Sequence, residues 1–449
     1  MRVVPDEISF IFDNKKYHAL VGDSIASALY RNKVKVITRS MKFHRPRGLF
    51  CGTGDCPNCL ANVNGIPNVR TCTTQIKNGM IVRSQNHILS RNFDIVAIMD
   101  HVYRKGFNYH HKFIRPEFMK SIYQKMIRRM AGIGKLPIAE QPAKQAEEIA
   151  PDVLIVGGEG SALTVARNCA YLGLKVLMIQ QNSASISPIE ESLYEKYGGP
   201  DQCNENQKME QMLSAGKNFR WLADSVAIGA FDDGAIGAIT NDQLHIIRSK
   251  SVIIAEGLRE SPIRFGNWDL PGVLQETAAR RLLNTEIPPG DEVLLIGDPV
   301  RCANLSIKLK SRGSSIVAIL AEPDIGIEFD SSTWNLLRTG WKILEAKGRT
   351  SVNKAIITDG QRTEKISCDA IITFGRLLPK IDLARQLGCT IHIDEKKIPQ
   401  INVNERFETL RHGIFAIGGC AGIEEPSKAW QSAEIAGKAI TDRFLGMKE

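Results

Sequence analysis

The stretch Cys51-Gly-Thr-Gly-Asp-Cys56-Pro-Asn-Cys59, followed by Cys72, decides the fold of the N-terminal part of the chain. Its C-x4-C-x2-C spacing with a distant fourth cysteine is that of plant-type [2Fe–2S] clusters, whose two irons take four thiolates. Gly52 and Gly54 let the backbone curl tightly, so that amide N–H groups can point at the cluster sulfurs. The spacing therefore predicts four metal ligands: Cys51, Cys56, Cys59 and Cys72.

Two other uses of these cysteines are less well supported. A structural zinc site usually pairs two C-x2-C knuckles, which this spacing lacks. Disulfides are disfavoured because six of the ten cysteines in this 449-residue chain lie outside the quartet and are scattered singly. No signal peptide opens the sequence, so the cysteine usage suits a reducing compartment, and we expect a cytoplasmic protein.

Composition and charge narrow the class of protein. The hydrophobic fraction of 43% and charged fraction of 24% are typical of a soluble globular chain. No apolar run reaches the roughly 18–20 residues of a membrane span, so no transmembrane segment is expected. Part of the net charge of +9 lies in the basic stretch 91–135. Because aromatic residues make up only 6% and no nucleic-acid motif occurs, we expect no nucleic acid there. Three interpretations of this stretch remain: it contacts an acidic partner subunit, it contacts a flavin phosphate, or it is solvent-exposed helix surface.

The order of elements predicts an α/β fold plus a β-grasp. Residues 1–90 read as a ferredoxin-like [2Fe–2S] domain with a helix after Ser24 and strands near 7–17, 34–37, 60–63, 69–73 and 79–82. Residues 91–150 read as a bridging helical segment, with a helix at 116–130, and a polar linker. Two glutathione-reductase-like Rossmann domains follow, because β-α-β patterns open at Val153 and Val293. We assign 151–285 and 371–449 to an FAD or adenine-nucleotide domain, and 286–370 to an inserted, degenerate NAD-like domain.

The first glycine turn predicts an adenine-nucleotide site, with FAD as the expected cofactor. Its residues match the phosphate-binding pattern only in part, because Glu159 brings negative charge into the turn. The acidic residue that normally binds the ribose is replaced by two glutamines at the end of the next strand. The fold itself would persist without a nucleotide. The cofactor-binding residues predicted here are Gly157, Gly158, Gly160, Gln180 and Gln181.

The second glycine turn predicts a degenerate dinucleotide site that no longer binds NAD. Gly297 is followed by Asp298 and Pro299, and a proline has no N–H to offer a phosphate. Glu322 does stand where an acidic residue would bind the ribose. No C-x-x-C or C-x4-C pair occurs after residue 150, which disfavours a disulfide-reductase mechanism.

With these motifs in place, the chain resembles the α subunits of hetero-oligomeric sarcosine oxidase and of dye-linked proline, hydroxyproline and opine dehydrogenases. It looks like the [2Fe–2S]-containing form without the folate-binding half of sarcosine oxidase α. Gly419 and Glu256 depart from the family pattern, at positions where an aspartate and a threonine are usual. The stretches that carry the resemblance are 22–29, 39–48, 106–109, 127–134, 255–262, 266–273 and 413–418.

The resemblance implies a function and two further cofactor contacts. It implies that Gly257 and Gly418 help to hold the flavin nucleotide, and that a separate flavin-containing β subunit oxidises the substrate in a hetero-oligomer. It also implies that FMN can lie at the subunit interface. His44, Arg45 and Arg47 flank the cluster loop, where positive charge would raise its reduction potential; backbone or partner contact is the other reading.

These patterns favour an iron–sulfur electron-transfer subunit of a multi-subunit flavin-dependent dehydrogenase or oxidase. The expected substrate is a secondary amine or imino acid of the sarcosine, proline or hydroxyproline class, and this chain supplies no catalytic residue. A self-contained NAD(P)H-dependent FAD and [2Fe–2S] reductase is the alternative, which requires both nucleotide sites. A non-redox scaffold with a zinc knuckle is a third reading.

Overall fold

The computed structural model describes residues 7–41, 43–94, 97, 145–181, 187–198, 209, 211–214, 216–240, 243–322 and 335–446. The chain divides into two compact units. The first comprises Met1–Gln141 with Pro262–Gly375, and the second comprises Pro142–Ser261 with Arg376–Glu449. The helix predicted at 116–130 lies outside the described residues. In the described ranges, no helix is long and apolar enough to cross a membrane.

The described elements follow one another along the chain. Up to residue 260 they are β1 (Glu7–Phe12), β2 (Lys15–Leu20), α1 (Ile25–Arg31), β3 (Thr38–Arg39), β4 (Pro46–Arg47), β5 (Leu60–Val63), β6 (Ile66–Arg70), β7 (Ile81–Arg83), β8 (Glu147–Ile149), β9 (Val153–Val156), α2 (Gly160–Tyr171), β10 (Val176–Ile179), α3 (Pro188–Tyr197), β11 (Phe219–Leu222), β12 (Ser225–Ala230), β13 (Ile236–Thr240), β14 (Gln243–Ile247), β15 (Ser251–Ile254) and β16 (Leu258–Glu260). They continue with β17 (Val273–Gln275), α4 (Glu276–Asn284), β18 (Glu292–Gly297), α5 (Pro299–Ser311), β19 (Ser315–Leu320), β20 (Lys342–Lys347), β21 (Lys354–Thr358), β22 (Thr363–Ser367), β23 (Ala370–Phe374), β24 (Leu377–Pro379), α6 (Asp382–Gln386), β25 (Ile391–Ile393), β26 (Pro399–Ile401), β27 (Ile414–Ala416) and α7 (Pro426–Gly446).

The N-terminal part of the first unit is the predicted β-grasp. Its sheet has the order β2-β1-β7-β5-β6, with β1 and β7 parallel at the centre. Asp13 and Asn14 make the hairpin turn with positive φ angles of 46° and 65°, which these two residue types tolerate. The Ser24 hydroxyl accepts the Ser27 N–H at 3.0 Å and caps α1, whose apolar face fills the core under the sheet.

One strand predicted in this region does not form. Residues 34–37 make no ladder, because Val34 donates its N–H back to Leu29 after α1 and Lys33 adopts a φ of 56°. Ile37 is nevertheless fully buried. The apolar residues therefore serve packing, and the chain pairs only at the short ribbon of β3 and β4.

The second unit contains the first Rossmann-type sheet. Its five strands are parallel in the order β11-β10-β9-β15-β27, and β9, β10 and β15 are buried along their whole length. The carboxyl ends of the strands therefore lie at one edge. The end of the predicted polar linker forms a strand, because Glu147–Ile149 is β8 and pairs in parallel with β14.

The second Rossmann-type sheet, in the first unit, begins earlier than the sequence predicts. Its order is β17-β23-β18-β19, so that β17 and β23 belong to it as much as β18. The predicted boundaries at 285/286 and 370/371 cut through this sheet. Pairing of Val273 with Ile371 accounts for the difference, because the short apolar run of β17 gains a partner nearly a hundred residues away.

A buried ionic cluster joins α4 and α5 within this second sheet's layer of helices. Glu276 Oε1 accepts from Arg280 Nε at 2.7 Å, and its Oε2 accepts from Arg301 Nε at 2.7 Å. Arg301 also donates to the Gly375 carbonyl at 2.8 Å. The three side chains are 0–4% exposed, so the carboxylate is the counter-charge that makes burial of the two guanidinium groups tolerable.

We expect Glu276→Gln to lower the free energy of unfolding by about 3–5 kcal/mol, because it leaves two buried cations without their counter-charge. Glu286→Gln is the matched control: it removes an exposed partner of Arg312 and should cost less than about 1 kcal/mol. Shifts in the urea midpoint measure both. Equal shifts for the two variants would contradict the role given to Glu276.

Candidate functional site

The structure brings the four predicted cysteine ligands together. Cys51, Cys56 and Cys59 lie on the loop between β4 and β5, and Cys72 follows β6. Their side chains form a chain of hydrogen bonds in which Cys56 contacts Cys51, Cys51 contacts Cys72, and Cys72 contacts Cys59. Cys56 is half-buried and the other three are buried. Among the described residues, no three His, Cys, Asp or Glu side chains converge as a site for a single metal ion.

The sulfur contacts divide the quartet into two kinds of group. Hydrogen bonds from Cys56 and Cys72 hold the pKa of the Cys51 thiol far below its ordinary value. A hydrogen bond from Cys72 lowers the pKa of Cys59 to about 7. The same bonds, followed by burial, raise the pKa of Cys56 and Cys72. Because cysteine binds a metal as the thiolate, metal binding would release the protons that these four groups still carry.

The cluster loop is shaped by glycine and packed on α4. Gly52 and Gly54 have φ angles of 75° and 84°, in the region that favours glycine. A Cβ on Gly52 would lie 2.8 Å from the Cα of Ala278 in α4. On the same side, the Phe50 and Trp268 rings meet edge to face, with centroids 5.2 Å apart. The donor set and backbone therefore fit a [2Fe–2S] cluster.

The basic residues near the loop have local partners. His44 Nδ1 lies 3.0 Å from Asp94 Oδ2, and Arg47 Nη2 lies 2.6 Å from Asp269 Oδ2. The Arg45 guanidinium lies over the Phe43 ring, 5.6 Å from its centroid. His44 and Arg47 therefore contact acidic side chains of the same chain.

The residues predicted for the first nucleotide site meet at the carboxyl edge of the parallel sheet. Gly157, with a φ of 128°, lies so close to β15 that a Cβ would come within 2.0 Å of the Ala255 carbonyl oxygen. The buried Gln180 side chain lies against Gly158, where a Cβ would be 2.2 Å from its Cδ. Gln181 follows it and is half-buried. The turn is therefore held tightly, as close backbone approach to a ligand or a strand requires.

The two glycines implied by the resemblance lie at the same edge. Gly257 follows β15 with a φ of 71°, and Gly418 begins a short 3-10 helix after β27 with a φ of 60°. Cys420 Sγ donates to the Gly257 carbonyl at 3.5 Å, which ties the two segments together. Gly419 has no room for the usual aspartate, because its Cβ would lie 2.7 Å from Leu258 Cγ.

Sequence reasoning missed one residue of this site, Glu190 on α3. Its Oε1 accepts the Gly160 N–H at 3.3 Å, at the beginning of α2. Burial, and then the charge of Glu159, raise the pKa of Glu190 well above its ordinary value. No local signal could have found it, because 30 positions separate the two bonded residues.

The second glycine turn is also closed by an acidic side chain. Gly297 packs against β23, where a Cβ would lie 2.3 Å from the Phe374 carbonyl oxygen. Asp298 Oδ1 accepts the Arg301 N–H at 3.1 Å, and Pro299 is the first helical residue of α5. A phosphate would have to compete with this cap for the helix N-terminus. Glu322 follows β19 and is exposed.

Comparisons with known proteins identify the families that this architecture matches. Residues 151–438 match the family described as pyridine nucleotide-disulphide oxidoreductase, and residues 5–87 match a 2Fe-2S iron-sulfur cluster binding domain. The fold and sites thus define a nucleotide-cofactor oxidoreductase domain carrying an iron–sulfur domain. The chain belongs to the pyridine nucleotide-disulphide oxidoreductase family. The predicted [2Fe–2S] cluster and the predicted FAD or other adenine nucleotide are confirmed at the level of these two domain families.

Curated relatives support the resemblance seen in the motifs. The sarcosine oxidase subunit alpha of Rhizobium meliloti (strain 1021) is 28% identical over 409 residues, covering 85% of this chain and 41% of the relative. That of Corynebacterium sp. (strain U-96) is 24% identical over 300 residues, covering 63% and 27%. The predicted family resemblance is confirmed, and the chain spans less than half the length of either relative.

Solved structures show the same fold. L-proline dehydrogenase from P. horikoshii superposes with a TM-score of 0.71 at 19% identity, covering 99% of this chain and 75% of that one. Thioredoxin reductase from T. acidophilum gives a TM-score of 0.52 at 15% identity, covering 66% of this chain and 99% of that one. The predicted fold class is therefore confirmed.

We expect Gly52→Ala to destabilise the protein by about 1–3 kcal/mol more than Gly79→Ala. Both glycines have a φ of 75°, so both variants incur the same backbone cost, but a Cβ at Gly79 meets nothing within 4 Å. Thermal unfolding measures the difference, and the visible absorbance of the cluster reports its retention. Similar losses for the two variants would show that the approach to Ala278 does not constrain the loop.

Stability should also fall with rising pH because of Glu190. Its pKa is raised in the folded protein, so the stabilisation is complete below its unfolded value of about 4.3 and is lost as pH rises through the folded value. Over that window, the free energy of unfolding should fall less steeply with pH in Glu190→Gln than in the wild type. The difference in slope should be up to about 1.4 kcal/mol per pH unit. Glu434→Gln, in an exposed ion pair on α7, should follow the wild-type curve. A Glu190→Gln curve parallel to wild type would refute this.

Proposed function

We propose that this chain is the iron–sulfur electron-transfer subunit of a multi-subunit flavin-dependent dehydrogenase or oxidase. Its substrate would be a secondary amine or imino acid of the sarcosine, proline or hydroxyproline class. A separate flavin-containing subunit would oxidise the substrate, and the two would form a hetero-oligomer. The observation that carries the proposal is the contact of four cysteines in the spacing of a [2Fe–2S] site.

Cys51, Cys56, Cys59 and Cys72 would hold the cluster. When bound, a [2Fe–2S] cluster accepts and releases one electron at a time. The three buried cysteines keep water from the sulfurs, whereas Cys56 is half-buried between exposed Asp55 and Pro57. We infer that a partner approaches the site from this side, because electron transfer requires close approach and Gly52 of the same loop is packed against Ala278 of α4.

The substrate class and the partner rest on the relatives. The matched curated proteins are sarcosine oxidase alpha subunits, a name that implies an assembly, and the full-length structural neighbour is an L-proline dehydrogenase. FMN at the subunit interface rests on this resemblance alone. A cytoplasmic location is supported by the described cysteines, all of which are free thiols.

The ligand assignment is tested on anaerobically purified full-length chain. Cys59→Ala should abolish the cluster's visible absorbance and its low-temperature paramagnetic signal after dithionite reduction, and should remove iron and acid-labile sulfide. Cys169→Ala is the matched control: Cys169 is a fully buried thiol whose pKa burial raises to about 12. It should retain the cluster. Stoichiometric zinc without sulfide in the wild-type chain would replace the redox proposal with a structural one.

The substrate class is tested on the chain co-purified with its native partners. We expect secondary amines or imino acids to reduce a one-electron dye, and hydroxy acids to fail. Dye reduction by hydroxy acids alone would refute the amine assignment. Rapid reduction of the isolated chain by NADH would instead favour the self-contained reductase, which the Asp298 cap and Pro299 oppose.

A further inference from the structure

The first glycine turn already contains a carboxyl group from the protein itself. The N–H groups at a helix N-terminus and the helix dipole attract negative charge, which is why dinucleotide folds bind pyrophosphate there. At the N-terminus of α2, the Gly160 N–H donates to Glu190 Oε1 at 3.3 Å. A carboxyl group from α3 therefore occupies the position that a phosphate oxygen would take.

Glu190 is held in this position by its surroundings. The Tyr194 hydroxyl lies 3.5 Å from the same Oε1, and the other carboxyl oxygen is shielded from solvent. Trp430 of α7 closes the turn, because a Cβ on Gly160 would lie 2.7 Å from its Nε1. The carboxyl is thus enclosed by α3 and α7, although the residue as a whole is half-buried.

A second carboxyl makes the turn still less suited to a diphosphate. Glu159 precedes α2, and its proximity, after burial, helps to raise the pKa of Glu190. A second carboxyl group so close disfavours the ionised form of Glu190. A diphosphate would add negative charge beside this pair while competing for the Gly160 N–H.

We propose that Glu190 is an internal competitor for the diphosphate of an adenine nucleotide, and so determines the nucleotide affinity of this chain. Nucleotide binding requires the Glu190 carboxyl to leave the α2 N-terminus. The inference concerns residues of the second unit only, and it holds whether or not the cluster domain serves amine oxidation.

The experiment compares nucleotide binding by the full-length chain and two variants. Glu190→Gln keeps the shape of the side chain but cannot ionise, whereas Glu190→Ala vacates the helix N-terminus. FAD and ADP are titrated separately by equilibrium dialysis, since they share the adenosine diphosphate but not the isoalloxazine. We expect both variants to bind both probes about tenfold more tightly than wild type.

Glu434→Gln should bind both probes with wild-type affinity. Circular dichroism and thermal unfolding check that each variant is folded. If Glu190→Ala is not folded, the affinity of Glu190→Gln decides the result. Unchanged or weaker affinity in Glu190→Gln would overturn the proposal, as would an absence of binding in every variant. Tightening for FAD but not for ADP would also overturn it, because competition at the diphosphate affects both. The proposed function is tested separately, by the paramagnetic signal of the cluster.

Discussion

The approach of Gly52 to Ala278 is the constraint on which the cluster loop depends. A Cβ on residue 52 would lie 2.8 Å from the Ala278 Cα, where there is no room for it. The loop therefore curls with a positive φ directly against α4. The same helix contributes Leu282 to the core of the β-grasp and Glu276 to the buried ionic cluster with α5. One short helix thus supports both the cysteine loop and the second glycine turn, and the two domains of the first unit share a single packed element.

Each of the two glycine turns has a carboxyl group at its helix N-terminus, but the carboxyl groups come from different parts of the chain. In the second turn the carboxylate is local, because Asp298 caps the helix that it precedes. In the first turn it comes from Glu190, on a different helix. Each carboxyl group satisfies a helix N-terminal N–H that a phosphate would otherwise bind. The family fold is therefore retained while a carboxyl group of the chain itself lies at each of the two helix N-termini.

Sequence patterns predicted what is local and missed what is long-range. The cysteine spacing, the helix after Ser24 and the β-α-β units at Val153 and Val293 were predicted from neighbours in the chain, which determine them. The sequence did not show that a sheet crosses the predicted boundary at 285/286, because β17 is defined by its pairing with β23. The strand predicted at 34–37 was wrong because its apolar residues fill a core without pairing. Glu190 had no signal at all, since its role comes from tertiary contact.

The basic motif before the cluster loop illustrates how a charged sequence can serve structure. His44 adopts a φ of 49°, a conformation that few non-glycine residues take, and its ring contacts Asp94 while its carbonyl accepts from Arg39. Arg39 also donates to the Arg91 carbonyl at 2.8 Å. These contacts fasten the chain that leaves the β-grasp to the strand ribbon of β3 and β4. Arg47 pairs with Asp269 and His44 contacts Asp94, so both side chains hold the local structure of this segment.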